Sequence, residues 1–262
     1  MIDYLYHYTN LEALRLILRN KTFRLSSLNN MDDLEEGETS DFQKLGRFIY
    51  ISSWTKNSNE SLSLWNYSKG NAGVRIKMKI NPFKTQKIND YVKMHDKIVE
   101  VNEEFNLGLL DMMKNENVSF VPPRAELIRV TYTDVERLLK PTVYNEFPGA
   151  HFSIQTENLG IFKRIEWQEQ QEWRYRLNSM PVGVDEMDIF SEPDGHKSLL
   201  NKIRNREDLG FIDLPLKDNV FEDLEVLCSP YMSDDSKNEL NKILTQYAPN
   251  AVIKDSMLKI RN

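Results

Sequence analysis

A single cysteine, Cys228, is present in the 262 residues, so no internal disulfide can form, a usage that fits a reducing cytoplasm. It follows the apolar run in L-E-V-L-C-S-P, where a small buried hydrophobe is the expected role rather than a nucleophile. Cations are outnumbered, 34 Lys and Arg against 40 Asp and Glu, giving a net charge of −6 and a pI near 5.4. Such a balance argues against general affinity for nucleic-acid backbones, which calls for a basic surface. Only four histidines occur, and they are dispersed, which leaves little support for a metal centre. No apolar run approaches the roughly 20 residues needed to span a bilayer. The opening M-I-D-Y-L-Y-H-Y-T lacks the basic flank and apolar stretch of a signal peptide, so no membrane partner and a cytoplasmic location are expected. Also missing are G-x-G-x-x-G, G-x-x-x-x-G-K-S/T and C-x-x-C, so Rossmann, P-loop and zinc-ribbon readings lose their usual support.

What remains is an ordinary globular composition, 40% hydrophobic and 28% charged. No repeat, low-complexity linker or domain boundary is visible, and residues 1–262 are read as one domain. Strands are expected at Tyr4–Tyr8, Thr22–Ser26, Phe48–Trp54, Val74–Ile80, Leu127–Thr133, Phe211–Leu216, Leu224–Leu227 and Ala251–Lys254. A helix is expected from Thr9, with Glu12 completing a capping box and Leu11, Leu14, Ile17 and Leu18 forming its apolar stripe. Ser27–Met31 reads as a polar loop, and the acidic run Asp32–Gly37 as a solvated helix start. Ser68–Gly73 is turn-prone. Spacing of Val92, Met94, Ile98, Val101, Phe105, Leu109 and Met112 predicts a helix over Asp90–Asn117. Pro141–Leu159 is expected to be loop with a short helix, and Met180–Asp208 a mobile surface segment. A last helix is expected after the cap Ser233, carrying Leu240, Ile243 and Leu244. Strands and helices without a regular βαβ rhythm favour an α+β fold.

The chain centres on R-I-E-W-Q-E-Q-Q-E-W-R-Y-R-L, Arg164 to Leu177. From Gln170 it alternates: Gln170, Glu172, Arg174 and Arg176 fall on one side of an extended chain, and Gln171, Trp173, Tyr175 and Leu177 on the other. An edge strand with a solvated polar face is the simpler account of this stretch alone. Trp167 and Trp173 are assigned to the core.

Several blocks, in order along nearly the whole chain, resemble one bacterial family of unknown function. They are L-Y-H-Y-T-N-L-E-A-L-R-L-I-L, L-S-S-L-N-N-M-D-D-L-E-E-G, Y-I-S-S-W, L-W-N-Y with its glycine turn, W-Q-E-Q-Q-E-W-R and V-L-C-S-P-Y-M-S-D-D. That family is in turn similar to the ADP-ribosyltransferase superfamily, whose members carry a His or Arg on the first strand, a Tyr or Ser-Thr-Ser element on the second and a late catalytic Glu. The resemblance implies a mixed or antiparallel split β-sheet core with flanking helices, NAD as substrate and no metal. It places His7 at the first position, Ser52 and Ser53 at the second, and Gln170 and Glu172 at the third. Where Gln170 stands the family usually has a carboxylate, and where Asp32 stands an Asn.

Cleavage of the nicotinamide–ribose bond passes through an oxocarbenium-like cation, which a fixed carboxylate stabilises. Glu172 would take that role and Gln170 would orient the acceptor. His7 and Thr9 would hydrogen-bond a ribose or the carboxamide, with Ser53 supporting the nicotinamide end. Trp65 or Tyr67 would stack on a planar ring, and Arg174 would pair with pyrophosphate or with Glu172. Each has a bland counterpart: a satisfied strand histidine, hydroxyls ending a strand, aromatics in a core. Their order favours an NAD-consuming enzyme, a mono-ADP-ribosyltransferase or NAD glycohydrolase, acting as a toxin or phage-defence effector. Its acceptor, whether protein, nucleic acid, small molecule or water, is left open. Two alternatives stand: a non-catalytic module that binds a nucleotide or protein, and a metal-dependent nuclease using Asp32, Asp33, Glu36 and Glu172.

Overall fold

The run Y-L-Y-H-Y-T-N forms β1 (Tyr4–Asn10), and helix α1 (Leu11–Asn20) follows it directly. The N-cap is Asn10, one residue later than the sequence suggests, its side chain accepting from the Ala13 amide at 3.0 Å. Leu11, Leu14, Ile17 and Leu18 are buried, and α1 ends at Lys21 in the left-handed conformation. These elements belong to a computed structural model that describes residues 3–68, 70–94, 97–108, 111, 117–148, 151–192 and 194–260. Lys69 of the expected turn, residues 95, 96, 109, 110 and 112–116 of the expected long helix, and Gly149, Ala150 and Pro193 lie outside them.

Continuing along the chain come β2 (Thr22–Ser27), β3 (Ile49–Thr55), the short helix α2 (Leu62–Tyr67) and β4 (Gly73–Lys79). Then follow β5 (Gln86–Met94), β6 (Lys97–Phe105), β7 (Ser119–Phe120), β8 (Glu126–Arg129) and β9 (Thr131–Tyr132). Next are β10 (Tyr144–Phe147), β11 (His151–Ile154), β12 (Phe162–Lys163) and β13 (Glu172–Met180). The chain closes with β14 (Phe211–Pro215), β15 (Glu225–Cys228) and β16 (Val252–Lys254). Among the described residues ten strands form one mixed, mainly antiparallel sheet, running β14-β2-β3-β1-β4-β15-β16, with β13 on β3, and β7 and β8 on β13. The fold is α+β.

At its middle the sheet is split. β1 pairs with β4 over seven residues, and β3 pairs with β13 over seven, but β1 and β3 meet in one pair, Tyr6↔Thr55. Beyond it the gap is filled by His7, whose ring lies 5.0 Å from Trp54 and 5.0 Å from Phe23.

Several expectations need correction. Gln86–Met94 and Lys97–Phe105 pair as antiparallel strands, β5 against β6, in place of the first part of the helix expected at Asp90–Asn117. Residues 31–37 are turns and bends rather than a helix start, and the Ser27–Met31 loop is a 3₁₀ turn over Leu28–Asn30. The Pro141–Leu159 region carries the pair β10 and β11. Met180–Asp208 is anchored: a 3₁₀ segment, Val184–Ser191, and a helix, Gly195–Asn205, bury Ile189, Leu199 and Ile203 in the core. Cys228 is buried, as expected, and burial pushes its thiol pKa up. Ser233 caps the helix Asp234–Tyr247, which buries Leu240, Ile243 and Leu244. Among the described residues no helix is long and apolar enough to cross a membrane.

Candidate active site

Regular alternation places Glu172, Arg174 and Arg176 on one face of β13, but that face is not solvated. β13 pairs with β3 on one side and with β7 and β8 on the other, so it is an interior strand. Exposures are 5% for Glu172, 0% for Arg174 and 5% for Arg176. The segment before β13 covers them: Gly160 O accepts from Arg174 Nη1 at 3.0 Å and Leu159 O from Arg176 Nη1 at 3.0 Å. The opposite face carries Tyr175 and Leu177 in the core, with Trp173 only half-buried. Trp167 is half-buried too, not in the core, and the Lys163 ammonium lies 4.5 Å from its ring centroid.

The strand begins at Glu172, two residues too late to include Gln170. That residue ends a 3₁₀ turn, Ile165–Gln170, and Gln171 then takes a positive φ of 45°. Gln170 still arrives beside Glu172, because its Oε1 accepts from Lys163 Nζ at 2.9 Å.

Four buried charges make the centre. Arg174 donates from Nε to Glu172 Oε1 at 2.7 Å and from Nη2 to Oε2 at 2.9 Å, a two-pronged pair, while its Nη1 reaches Glu36. Lys163 Nζ lies 3.5 Å from Glu172 Oε2 and 3.7 Å from Glu36 Oε2. Two carboxylates against two cations balance, as burial of charge requires. Burial alone would raise the Glu172 pKa. The Arg174 charge and hydrogen bonds, the Lys163 charge and the Ser53 hydroxyl outweigh it and hold the carboxyl near 2. The main-chain amide of Glu172 donates to Tyr132 Oη at 2.9 Å.

From the other half of the sheet comes His7. Its Nδ1 lies 2.7 Å from the Ser53 carbonyl oxygen, which can only accept, so Nδ1 carries the proton. Burial lowers the imidazole pKa to about 4, against a smaller upward pull from that carbonyl, so the ring is neutral at pH 7. Nε2 is then a bare acceptor, and it makes no hydrogen bond among the described residues.

Two hollows adjoin at this point, sharing His7, Met31 and Ser53 in their walls. One of about 380 Å³ lies under α1, walled by His7, Thr9, Ile17, Arg24, Ser52 and Asp213. The other, about 160 Å³, opens beside the buried charges and is walled by His7, Ser53, Tyr67, Lys163, Gln170 and Glu172. His7, Ser53 and Glu172, drawn from β1, β3 and β13, therefore share one cleft at the split. Thr9 and Ser52 face its larger lobe, and Ser52 Oγ accepts from the Trp54 indole at 2.9 Å.

Two sequence assignments change. Trp65 is fully buried, donates to Glu60 Oε2 at 3.1 Å and packs edge-on to Tyr8 at 4.8 Å; it is absent from the cleft wall. Tyr67, 48% exposed at the smaller lobe, is the aromatic left to stack on a ligand. Arg174 borders the same lobe, but its guanidinium is occupied by Glu172, Glu36 and Gly160 O, which directs it to Glu172 rather than to pyrophosphate.

Sequence reasoning missed Lys163, and it named Glu36 only as a metal ligand of the nuclease alternative, not as a partner of Arg174. Glu36 stands in an acidic run that reads as solvent-facing, and Lys163 precedes the alternating stretch; neither carries a local signal of burial. Among the described residues no group of three or more His, Cys, Asp and Glu is placed to hold a metal ion. Glu36 and Glu172 both face internal cations, and Asp33 Oδ1 accepts from the Glu35 amide at 3.1 Å. Compared with family models, curated proteins and solved structures, the chain matches none.

Proposed function

We propose that this chain is an NAD-consuming enzyme with an ADP-ribosyltransferase-like split sheet, transferring ADP-ribose to an acceptor or to water. The observation that carries the reading is the convergence of a neutral imidazole, a hydroxyl and a carboxylate at one opening, from strands 46 and 119 residues apart along the chain. In this reading the nicotinamide riboside end occupies the smaller lobe, with Tyr67 against the ring and Glu172 beside the ribose. The C1′–N bond breaks with its electron pair leaving on nicotinamide, and the carboxylate stabilises the ribosyl cation. An acceptor hydroxyl or water then bonds to C1′ and releases its proton to solvent, with Gln170 orienting it. His7 Nε2, lacking a donor, takes a ribose hydroxyl. The larger lobe, about 380 Å³, receives the adenosine end of the dinucleotide, a volume within the usual range for small-molecule sites.

The test is nicotinamide release from NAD by the purified protein alongside Glu172→Gln. The expected result is turnover that falls about a hundredfold or more in the variant, the scale of losing one electrostatic stabiliser. Equal rates, or none with any acceptor, would remove the reading.

A second reading has its own observation. Both oxygens of Glu172 already accept hydrogen bonds from Arg174, and Oε1 one more from Ser53, which suits a carboxylate that holds structure. A non-catalytic nucleotide-binding module would then be expected to bind intact NAD and ADP-ribose by calorimetry and release no nicotinamide.

A further inference from the structure

The cations around the small lobe differ in how completely they are satisfied. Arg174 is held by three partners. Lys163, 5% exposed and on the same wall, donates one hydrogen bond, to the neutral Gln170 amide oxygen at 2.9 Å. Its contacts to Glu172 and Glu36, at 3.5 and 3.7 Å, are ion pairs longer than ordinary hydrogen bonds. An ammonium has three donors, so among the described residues two of them face only these longer ion pairs and the Trp167 ring. The acceptor facing it is incomplete as well: Glu36 Oε2 is buried and accepts no hydrogen bond among the described residues. A buried ammonium so loosely held beside an opening is poised to receive an anionic oxygen.

We propose that Lys163 is the phosphate-binding residue of the cleft, taking an oxygen of a diphosphate ester, and that this contact draws it away from Glu172. This rests on the NAD reading of the same cleft. The consequence reaches the reaction. With Lys163 nearby, Glu172 faces two cations, which weakens its hold on a developing ribosyl cation. Once the ammonium turns to the ligand's phosphate, Glu172 keeps Arg174 and Ser53 but loses the second cation. Lys163 is thus a positioning residue for Glu172 and a specificity residue for phosphorylated ligands. The ammonium also lies 4.5 Å from the Trp167 ring centroid, a cation–π contact that does not depend on either carboxylate.

The experiment is calorimetry with ADP, ADP-ribose and adenosine on the wild type and on Lys163→Met, with nicotinamide release from NAD read on the same samples. A charge-assisted hydrogen bond corresponds to about a 10- to 100-fold affinity difference. The wild type is expected to bind ADP and ADP-ribose tighter than adenosine by that margin. Lys163→Met is expected to lose most of the margin while adenosine binding holds. Equal wild-type affinity for ADP and adenosine overturns the assignment whether or not the variant folds, and so does an unchanged margin in a folded variant. NAD turnover with no preference for ADP sinks the Lys163 role alone. Absence of both turnover and ADP binding sinks it together with the NAD reading. A Lys163-dependent ADP preference without turnover upholds Lys163 and removes the enzyme.

Discussion

Arg174 is the residue on which the centre depends. It lies between two buried carboxylates, and removing it leaves both with Lys163 as their nearest cation. Stripping one partner from a buried ion pair costs about 3–5 kcal/mol. Arg174→Met is expected to lower the unfolding free energy by that amount in urea titration, and a loss under about 1 kcal/mol would show that the network is not stabilising. The pH dependence has two windows with the same sign. His7 has a folded pKa of about 4 against 6.5, so the unfolded chain binds the extra proton between them, and stability falls as pH drops from 6.5 towards 4. Glu172, near 2 against 4.5, contributes stability above 4.5 that is lost as pH falls through the window to 2. His7→Gln should flatten the upper window and leave the lower one. An unchanged slope between pH 4 and 6.5 would mean that the imidazole is not held neutral.

At the scale of elements, the cleft is built by a loop crossing as much as by strands. Gly37, at φ +82°, and Gly46 touch back to back: a Cβ on Gly46 would stand 2.6 Å from the Gly37 Cα. The Gly46 amide also donates to Gly37 O at 2.7 Å. This contact fixes the turn that delivers Glu36 to Arg174. Gly46→Ala is expected to cost about 2 kcal/mol through overpacking and to disturb the small lobe, read as a lower thermal midpoint and weaker ADP-ribose binding. A midpoint equal to wild type would show that the crossing yields freely.

Elements with a single clear period were legible in the sequence. α1 announced its stripe, β4 and the main run of β13 announced their alternation, and β3 was legible from its aromatic and β-branched content. The strand pair β5–β6 was misread because mixed three- and four-residue spacings outweighed its β-branched residues, Ile88, Val92, Ile98, Val99 and Val101, which favour strands. The buried face of β13 was misread for another reason. Charged residues are ordinarily exposed, and nothing local reveals that Glu36 and Lys163 return from elsewhere in the chain to neutralise them.

On the scale of the whole molecule, one sheet supplies His7, Ser53 and Glu172 from β1, β3 and β13, β12 of a separate two-stranded sheet brings Lys163, and the split is the opening. Pattern and resemblance singled out His7, Ser53 and Glu172, which the fold brings together; Trp65 it buries elsewhere. A ligand that bridges the split holds both halves of the sheet and should stabilise them jointly. NAD at about a hundred times its dissociation constant is expected to add about 2.7 kcal/mol to the unfolding free energy of Glu172→Gln, which would not consume it. No NAD-dependent rise in the melting temperature would place the nucleotide off this protein. The most direct measurement is a crystal structure of Glu172→Gln grown with NAD. The account predicts the nicotinamide ribose beside the substituted side chain, the diphosphate against Lys163 and a ribose hydroxyl on His7 Nε2. A dinucleotide bound away from the split, or a cleft left empty at saturating NAD, would contradict it.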